Sequence, residues 1–523
     1  MSDFFKFETT LLDELLAKYG LRKTWLNLLF THLQSLDKFK YISDNPIFSK
    51  CKSLPTNILN GLSIGEVSIL YEYSVTRNNS KSRKSNGQFF TPDDVADFMA
   101  SYSKKFDAGI WLDPCSGIGN LSWHLVAAQQ DPEKFLSNNL ILSDKDDLAL
   151  LVARCLLTIS FQEKNKRLFD QIEKNFIKFD FLSVSDNGQD DLFSTKERLS
   201  DIPKHDFVIV NPPYLAVKID SRFETAKSGD LYSYFLENII KTSKGFISVT
   251  PQSFTNAKKF QSLRILLLNK YDNLKIFTFD NVPANIFRGI KFGSTNSNQS
   301  NSIRASIIVA MPGKGNHQIT PLLRWRSTER SLLFSNIENL LAVVKLNDLF
   351  FPKLGRGFEK LYSNLQDRPT LKTLCSVKKT KFPLYVPSAP RYFIPALKKP
   401  AKRASQKILY FSSEDDRNKA YMVINSSLLY WWWRVRDGGM TLSLETLMSL
   451  PLPDFKLNSA MIASLEKSEK SSKVFKQNAG ALQENVKHPK ELINKLNKLV
   501  IPDYAEDLIK LHGNSDVAIY LGN

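Results

Sequence analysis

The sequence predicts an α/β protein built on a doubly wound sheet of seven strands, with a helical region ahead of it and an α+β region behind it. Three observations carry that expectation. Seven short apolar runs, separated by segments of helical spacing, have the length of buried strands. The first three close on an acid, at Asp113, Asp144 and Asp180, and the first leads into a turn containing Gly117 and Gly119. Beyond about residue 315 the composition changes character.

Residues 1–85 read as helical, because Leu11, Leu12, Leu15, Leu16 and Tyr19, then Ile64, Val67, Leu70 and Tyr71, recur at helical spacing while nothing alternates strictly enough for strands. A helical cap on the next domain is the expectation. The polar run 78–86, with Lys81, Arg83 and Lys84 and with Arg77 beside it, reads as a flexible basic linker. Gly87-Gln88-Phe89-Phe90-Thr91-Pro92 then enters a helix over 95–102, with Thr91 as N-cap, Pro92 at the first helical position and acids in the first turn. Two aromatic rings ahead of the cap are more than helix entry requires.

Ile110 to Asp113 forms the first strand, and Gly117 and Gly119 after it allow a ligand to approach the backbone closely. Strands at 140–144 and 176–179 repeat the closing acid, where nucleoside-binding α/β folds place a carboxylate on ribose hydroxyls. One such acid is usually a turn or cap residue; three, together with the glycines, indicate a nucleoside-like cofactor. The fourth strand, Phe207–Val210, runs into Asn211-Pro212-Pro213-Tyr214, at the sheet end where open α/β sheets bind ligands. The prolines stiffen this loop and remove two competing donors. Two acceptors, the Asn211 side-chain oxygen and the Pro212 carbonyl, suit an amino group on a heteroaromatic ring, and Tyr214 offers that ring a flat face. Strands at 245–250, 274–279 and 305–310 complete the sheet, with a helix over 230–241 and a polar loop over 292–301.

At 523 residues and 42% hydrophobic the chain can bury sizeable cores in about two to four domains. Seventy-one Lys+Arg against 53 Asp+Glu leave a net charge of +18, which suits a polyanion, nucleic acid first. Cys51, Cys115, Cys155 and Cys375 are scattered, which excludes a zinc-ribbon or disulfide-stapled class and points to a reducing compartment. Met1-Ser2-Asp3 opens no signal-like segment and no apolar run reaches membrane length, so the expectation is cytoplasmic, with neither membrane nor metal as partner.

Gly-Gln-Phe-Phe-Thr-Pro (87–92), Asp-Pro-Cys-Ser-Gly-Ile-Gly-Asn (113–120), Asn-Pro-Pro-Tyr (211–214), Asp-Leu-Tyr-Ser-Tyr-Phe (230–235) and Phe-Ile-Ser-Val-Thr-Pro (246–251) together resemble the DNA adenine-N6 methyltransferases of restriction–modification systems. Their order resembles that of the γ group, the TaqI-like class, over roughly residues 60–310. The resemblance implies a Rossmann-like methyltransferase sheet with S-adenosylmethionine as cofactor. Phe90, Thr91 and Pro92 would lie at its methionine end, Asp113, Gly117 and Gly119 along the methionine moiety, Asp144 on the ribose, Asp180 on the adenine amino group, and Asn211 at its border. It further implies a target adenine flipped from double-stranded DNA, held by Asn211 and Pro212 on a loop stiffened by Pro213, and sandwiched by Tyr214 and a second ring. Phe287 is the candidate for that ring and Phe292 the alternative. In-line transfer to an amino group requires neither a strong base nor a cysteine nucleophile, so Cys115 reads as packing.

Residues 371–410 carry ten Lys or Arg and no Asp or Glu, interleaved with Phe382, Tyr385, Tyr392 and Phe393. One-signed charge at this density repels itself without a polyanion, so Lys378, Lys379, Lys381, Arg391, Lys398, Lys399, Lys402 and Arg403 are the expected phosphate contacts. With residues 410–453 this part resembles the target-recognition domains of type II methyltransferases and type I specificity subunits, the triplet Trp431 to Trp433 reading as core. From about 455 the chain reads as helical, with Leu492, Ile493, Leu496, Leu499 and Val500 on one docking face. The expected organisation is therefore a helical region over 1–85, a methyltransferase domain over 86–315, a target-recognition domain over 316–455 and a helical region over 456–523. The implied activity is site-specific methylation of adenine in DNA, cytosine-N4 being chemically equivalent. No Asp…Glu-x-Lys nuclease constellation stands out in the short N-terminal region, so the chain is expected to act without cleaving DNA, a cognate restriction endonuclease, where one exists, being a separate chain. A type I modification subunit needing a specificity chain, a protein glutamine methyltransferase and a catalytically inactive DNA-binding module are the competing readings. The late basic region weighs against the first two, and the intact glycines and Asn211–Tyr214 against the third.

Overall fold

The computed structural model describes residues 3–78, 91–184, 199–287, 303–390, 393–439, 441–478 and 481–521. It divides into two compact units, Met1–His317 with Asn347–Leu349, and Gln318–Leu346 with Phe350–Asn523.

In the first unit, the helical spacing near the start becomes α1 (Asp3–Gln34), bent at Gly20 with φ +73°, and α2 (Ile64–Asn78). Trp25, Leu28 and Leu33 of α1 and Val67 and Leu70 of α2 share one core with Ile118, Leu148 and Val152 of the sheet region. Arg22 pairs with Asp147 at 2.7 Å, and the Tyr71 hydroxyl donates to Asp146 at 2.7 Å. The helices thus belong to the same compact unit as the sheet. The expected linker, over 79–86, lies outside the described residues.

All seven apolar runs are strands: β1 (Trp111–Asp113), β2 (Leu140–Asp144), β3 (Phe176–Lys178), β4 (Phe207–Val210), β5 (Gly245–Pro251), β6 (Asn273–Phe279) and β7 (Ala305–Met311). Within this unit they lie in the order β3-β2-β1-β4-β5-β7-β6. The first five are parallel, whereas β7 inserts antiparallel between β5 and β6. The direction of winding reverses between β1 and β4. At such a switch point the loops after the two strands diverge and leave a crevice at their C-terminal ends. β4 is apolar at all four positions and buried at all four, as a strand paired on both sides must be.

In the second unit, β8 (Gln318–Ile319) pairs antiparallel with β9 (Ala342–Val343). A small antiparallel sheet is formed by β10 (Cys375–Ser376), β11 (Phe382–Pro387) and β12 (Gln406–Phe411), with β12 central. Helices α3 (Glu414–Asn425) and α4 (Ser427–Arg436) follow, and all three tryptophans of α4 are buried, as core residues. The all-helical expectation beyond 455 needs correction. After α5 (Ser459–Ser471), residues 473–478 and 481–486 pair as the hairpin β13–β14, anchored where Val486 meets Leu397 and Ala401. Helix α6 (Lys490–Val500) buries Ile493, Leu496 and Val500, but Leu499 stays 37% exposed and is not on the docking face. Near the end of the chain, buried Asp516 accepts from the Arg324 backbone N–H and pairs with Arg434 at 2.7 Å. Residues on either side of 455 therefore share one compact unit.

Candidate active site

At the C-terminal ends of β1 and β4 lies a cavity of about 440 Å³, within the range of small-molecule sites. Thr91, Asp113, Gly117, Asp144, Asp180, Asn211 and Pro213 all line it, although they come from five separate stretches of the chain.

Asp113 ends β1 inside the wall, 1% exposed. Its Oδ2 accepts the Ser122 hydroxyl at 2.9 Å, while Oδ1 is buried with no hydrogen-bond partner among the described residues. Burial pushes its carboxyl up to about 7, against the lowering effect of Ser122. Asp144 ends β2 and accepts two backbone N–H groups, from Gly117 at 2.8 Å and Asp146 at 2.9 Å. Burial still raises its carboxyl, so it both straps the glycine turn and fronts the cavity. Asp180 is exposed at the rim, accepting the Leu182 N–H at 3.0 Å.

The two glycines divide their work. Gly117 has φ +52°, and a Cβ there would meet nothing within 4 Å, so its backbone borders open space. Gly119, at φ +83°, corrects the sequence expectation. A Cβ there would meet Ala153 at 3.2 Å and Leu142 at 3.4 Å, so this glycine serves close packing and not ligand approach.

Thr91 is a second correction. The helix after it begins at Asp93, and Pro92 occupies the cap, its carbonyl accepting the Ala96 N–H at 2.9 Å. The Thr91 hydroxyl instead accepts Asn211 Nδ2 at 2.9 Å, and the Thr91 carbonyl accepts Asn120 Nδ2 at 2.8 Å. A side chain cannot cap its own helix while it faces a loop 120 residues away. On its other side, the Asn211 Oδ1 lies 2.6 Å from the Tyr214 hydroxyl, which also reaches the Val249 carbonyl at 2.7 Å. Burial holds the Tyr214 phenol well above its ordinary range, so it remains a donor, its single proton shared between these two acceptors. The amide is thereby fixed from both ends at the mouth of the cavity. Pro212 is buried behind it.

Phe287 arrives beside Tyr214, with ring centroids 5.8 Å apart and planes at 62°. The rings meet edge to face, so they touch each other and leave no parallel slot; a flat base enters only if they part. Cys115 Sγ sits 3.3 Å from the Asn211 carbonyl, and burial keeps its thiol well above the usual range, as a packing role requires. Phe90, Phe292 and Arg391 lie outside the described residues. Sequence reasoning missed Ser68, Tyr71, Glu72 and Asn120, which also line the cavity. The α2 pattern identified a helix and its core face, but nothing in it marked a second working face.

Residues 138–287 match the Eco57I restriction-modification methylase family. The type II methyltransferase M.BsuBI of Bacillus subtilis is 30% identical over 209 residues, 36% of this chain and 38% of that one. Among solved structures, the DrdV–DNA complex is similar over 83% of this chain and 47% of its own, with 16% identity and a TM-score of 0.44. The type IIG restriction endonuclease BpuSI is similar over 96% and 78%, with 11% identity and a TM-score of 0.41. The matched region spans less than half the length of both M.BsuBI and the DrdV chain. The methylase match implies S-adenosylmethionine as cofactor. The residues of the cavity fit a cationic nucleoside: Asp113 Oδ1 lacks a donor among the described residues, Gly117 leaves room at the backbone, and Asp144 and Asp180 front the same space.

In the second unit, Lys378, Lys379, Lys381, Lys399 and Lys402 are exposed. One other expected phosphate contact is corrected: Lys398 is paired with Glu466 and lies over the Tyr421 ring at 5.1 Å. Arg403 is half-buried with its Nε enclosed. Glu469 and Glu484 accept the backbone N–H groups of Lys398 and Lys402, so part of the basic stretch meets acids supplied from far along the chain.

Proposed function

We propose that the chain is a site-specific DNA methyltransferase of the γ, TaqI-like group that methylates N6 of an adenine flipped out of double-stranded DNA, as the modification enzyme of a restriction–modification system. The observation that carries this reading is the Asn211 amide, held at the cavity mouth between Thr91 and Tyr214. Bound in the cavity, S-adenosylmethionine supplies an electrophilic methyl on a sulfonium. Asn211 Oδ1 and the Pro212 carbonyl accept the two N–H bonds of the target amine, which draws its lone pair out of the ring and toward that methyl. Tyr214 and Phe287 part to take the base between them, and stacking offsets the few kcal/mol that flipping costs. The methylated nitrogen is cationic and loses its proton without a dedicated base.

In this reading residues 86–315 carry the chemistry and 316–455 choose the sequence, with Lys378, Lys379, Lys381, Lys399 and Lys402 following phosphates. On the same reading the setting is the cytoplasm, and a cognate endonuclease, where one exists, acts as a partner. No helix among the described residues is long and apolar enough to cross a membrane. The test is to incubate the purified chain with labelled S-adenosylmethionine and DNA and to sequence the modified bases. N6-methyladenine within one short sequence supports the proposal, and N4-methylcytosine moves the target. Label in DNA only after a specificity chain is added makes this a type I modification subunit, and label in a protein glutamine removes DNA as substrate.

A further inference from the structure

We propose that Ser68 and Glu72 of α2 bind the amino-acid end of S-adenosylmethionine, so that the N-terminal helices form part of the cofactor site; this rests on the methyltransferase reading above. Ser68, Tyr71, Glu72 and Val75 fall at helical positions i, i+3, i+4 and i+7, and all four line the cavity. This stripe lies beside the face that Ile64, Val67 and Leu70 bury in the core. A helix held by that core has no structural need of a carboxylate turned inward.

Two polar groups on the stripe are unsatisfied. Glu72 has no hydrogen-bond or ion-pair partner among the described residues, and burial pushes its carboxyl up to about 7. Ser68 Oγ is buried, the residue 6% exposed, and has no partner either. Across the same cavity Asp113 Oδ1 and Asn120 Oδ1 are likewise buried without donors. Unpaired buried polar atoms are costly, and three around one space, with the half-buried Glu72 carboxyl beside them, mark a ligand that supplies what they lack. Tyr71 is not among them, since its hydroxyl is committed to Asp146.

The cofactor's chemistry decides which end belongs here. Its adenosine part is met by the strand-end acids Asp144 and Asp180. Its other end is a zwitterion, with a carboxylate that needs a donor and an ammonium that needs several acceptors. Ser68 is the one hydroxyl in the unsatisfied set and donates to the carboxylate. Glu72 accepts from the ammonium, with Asp113 Oδ1 and Asn120 Oδ1 completing its partners.

The experiment is calorimetric titration of the full chain with S-adenosylhomocysteine, which carries the zwitterion, and with 5′-methylthioadenosine, which lacks it. Glu72→Gln and Ser68→Ala are each expected to weaken S-adenosylhomocysteine binding about tenfold and to change 5′-methylthioadenosine binding less than about twofold. Unchanged affinity for S-adenosylhomocysteine overturns the proposal, and so does an equal loss for both ligands, which would make the stripe a support for the adenosine side. Should Glu72→Gln fail to fold, Ser68→Ala decides alone, because it deletes a hydroxyl that has no partner among the described residues. Failure of the unsubstituted chain to bind either ligand sinks the methyltransferase reading itself, a result separate from a change in the variants.

Discussion

Replacing Thr91 with Val removes one acceptor and keeps the shape of the side chain. Thr91 is 4% exposed, and its hydroxyl takes Asn211 Nδ2 at 2.9 Å, while its carbonyl, untouched by the substitution, still takes Asn120 Nδ2 at 2.8 Å. The change therefore removes one acceptor from the half-buried Asn211 amide and leaves the other tie of the loop in place. Loss of one net hydrogen bond costs about 0.5–1.5 kcal/mol. Rotation of Asn211 in search of a new acceptor carries Oδ1 away from Tyr214 and from the target amine. Expressed in the transition state, the loss slows methyl transfer about 2- to 13-fold. Single-turnover transfer of labelled methyl to DNA measures the rate, with S-adenosylhomocysteine affinity measured alongside. The expected result is a rate in that range with affinity changed less than about twofold. A normal rate, or a loss of affinity as large as the loss of rate, refutes the idea that Thr91 aims Asn211.

Asn211→Ala is expected to abolish detectable transfer while largely sparing cofactor and DNA binding; unchanged turnover excludes its proposed role. Phe287→Ala should weaken binding of DNA carrying an extrahelical 2-aminopurine by about 1–3 kcal/mol and raise the fluorescence of that base, whose stacking partner it removes; an unaltered signal assigns the second ring elsewhere. His124 sits between Asp97 at 2.6 Å and Asp93 at 3.3 Å, and although burial opposes its charge, those carboxylates raise its pKa above 6.5 overall. Because the folded value exceeds the unfolded one, its stabilisation is full below 6.5 and fades as pH rises through the folded value. The melting-temperature gap between the native chain and His124→Gln should therefore shrink as the pH rises above 6.5, and a constant gap counts against the clamp. DNA affinity should fall steeply with salt, and Lys378→Ala with Lys379→Ala should reduce the log–log slope by about 1–2. A slope unaffected by both substitutions removes that turn from the interface.

The sequence by itself determined the local features of this protein. Each of the seven strands was visible as an apolar run; for the inner strands the reason is that a strand paired on both sides must be apolar wherever it is read, whereas β3, at the edge, is only half-buried. The cavity residues Asp113, Gly117, Asp144, Asp180 and Asn211 were visible for a related reason: parallel sheets place ligands beyond the C-terminal ends of their strands, and each of these follows or ends such a run. Tertiary structure alone decided the partnerships. Thr91 looks like a helix cap until Asn211, 120 residues on, presents a competing donor. Gly119 looks like a ligand contact until Ala153 closes against it, and Lys398 looks like a phosphate contact until Glu466 neutralises it. The antiparallel insertion of β7 between β5 and β6 and the cavity-facing stripe of α2 were hidden in the same way. Periodicity shows which face of an element is apolar. Which distant hydrogen-bond donor, charge or strand edge meets a given residue depends on how the elements come together in space, and spacing along the chain does not carry that information.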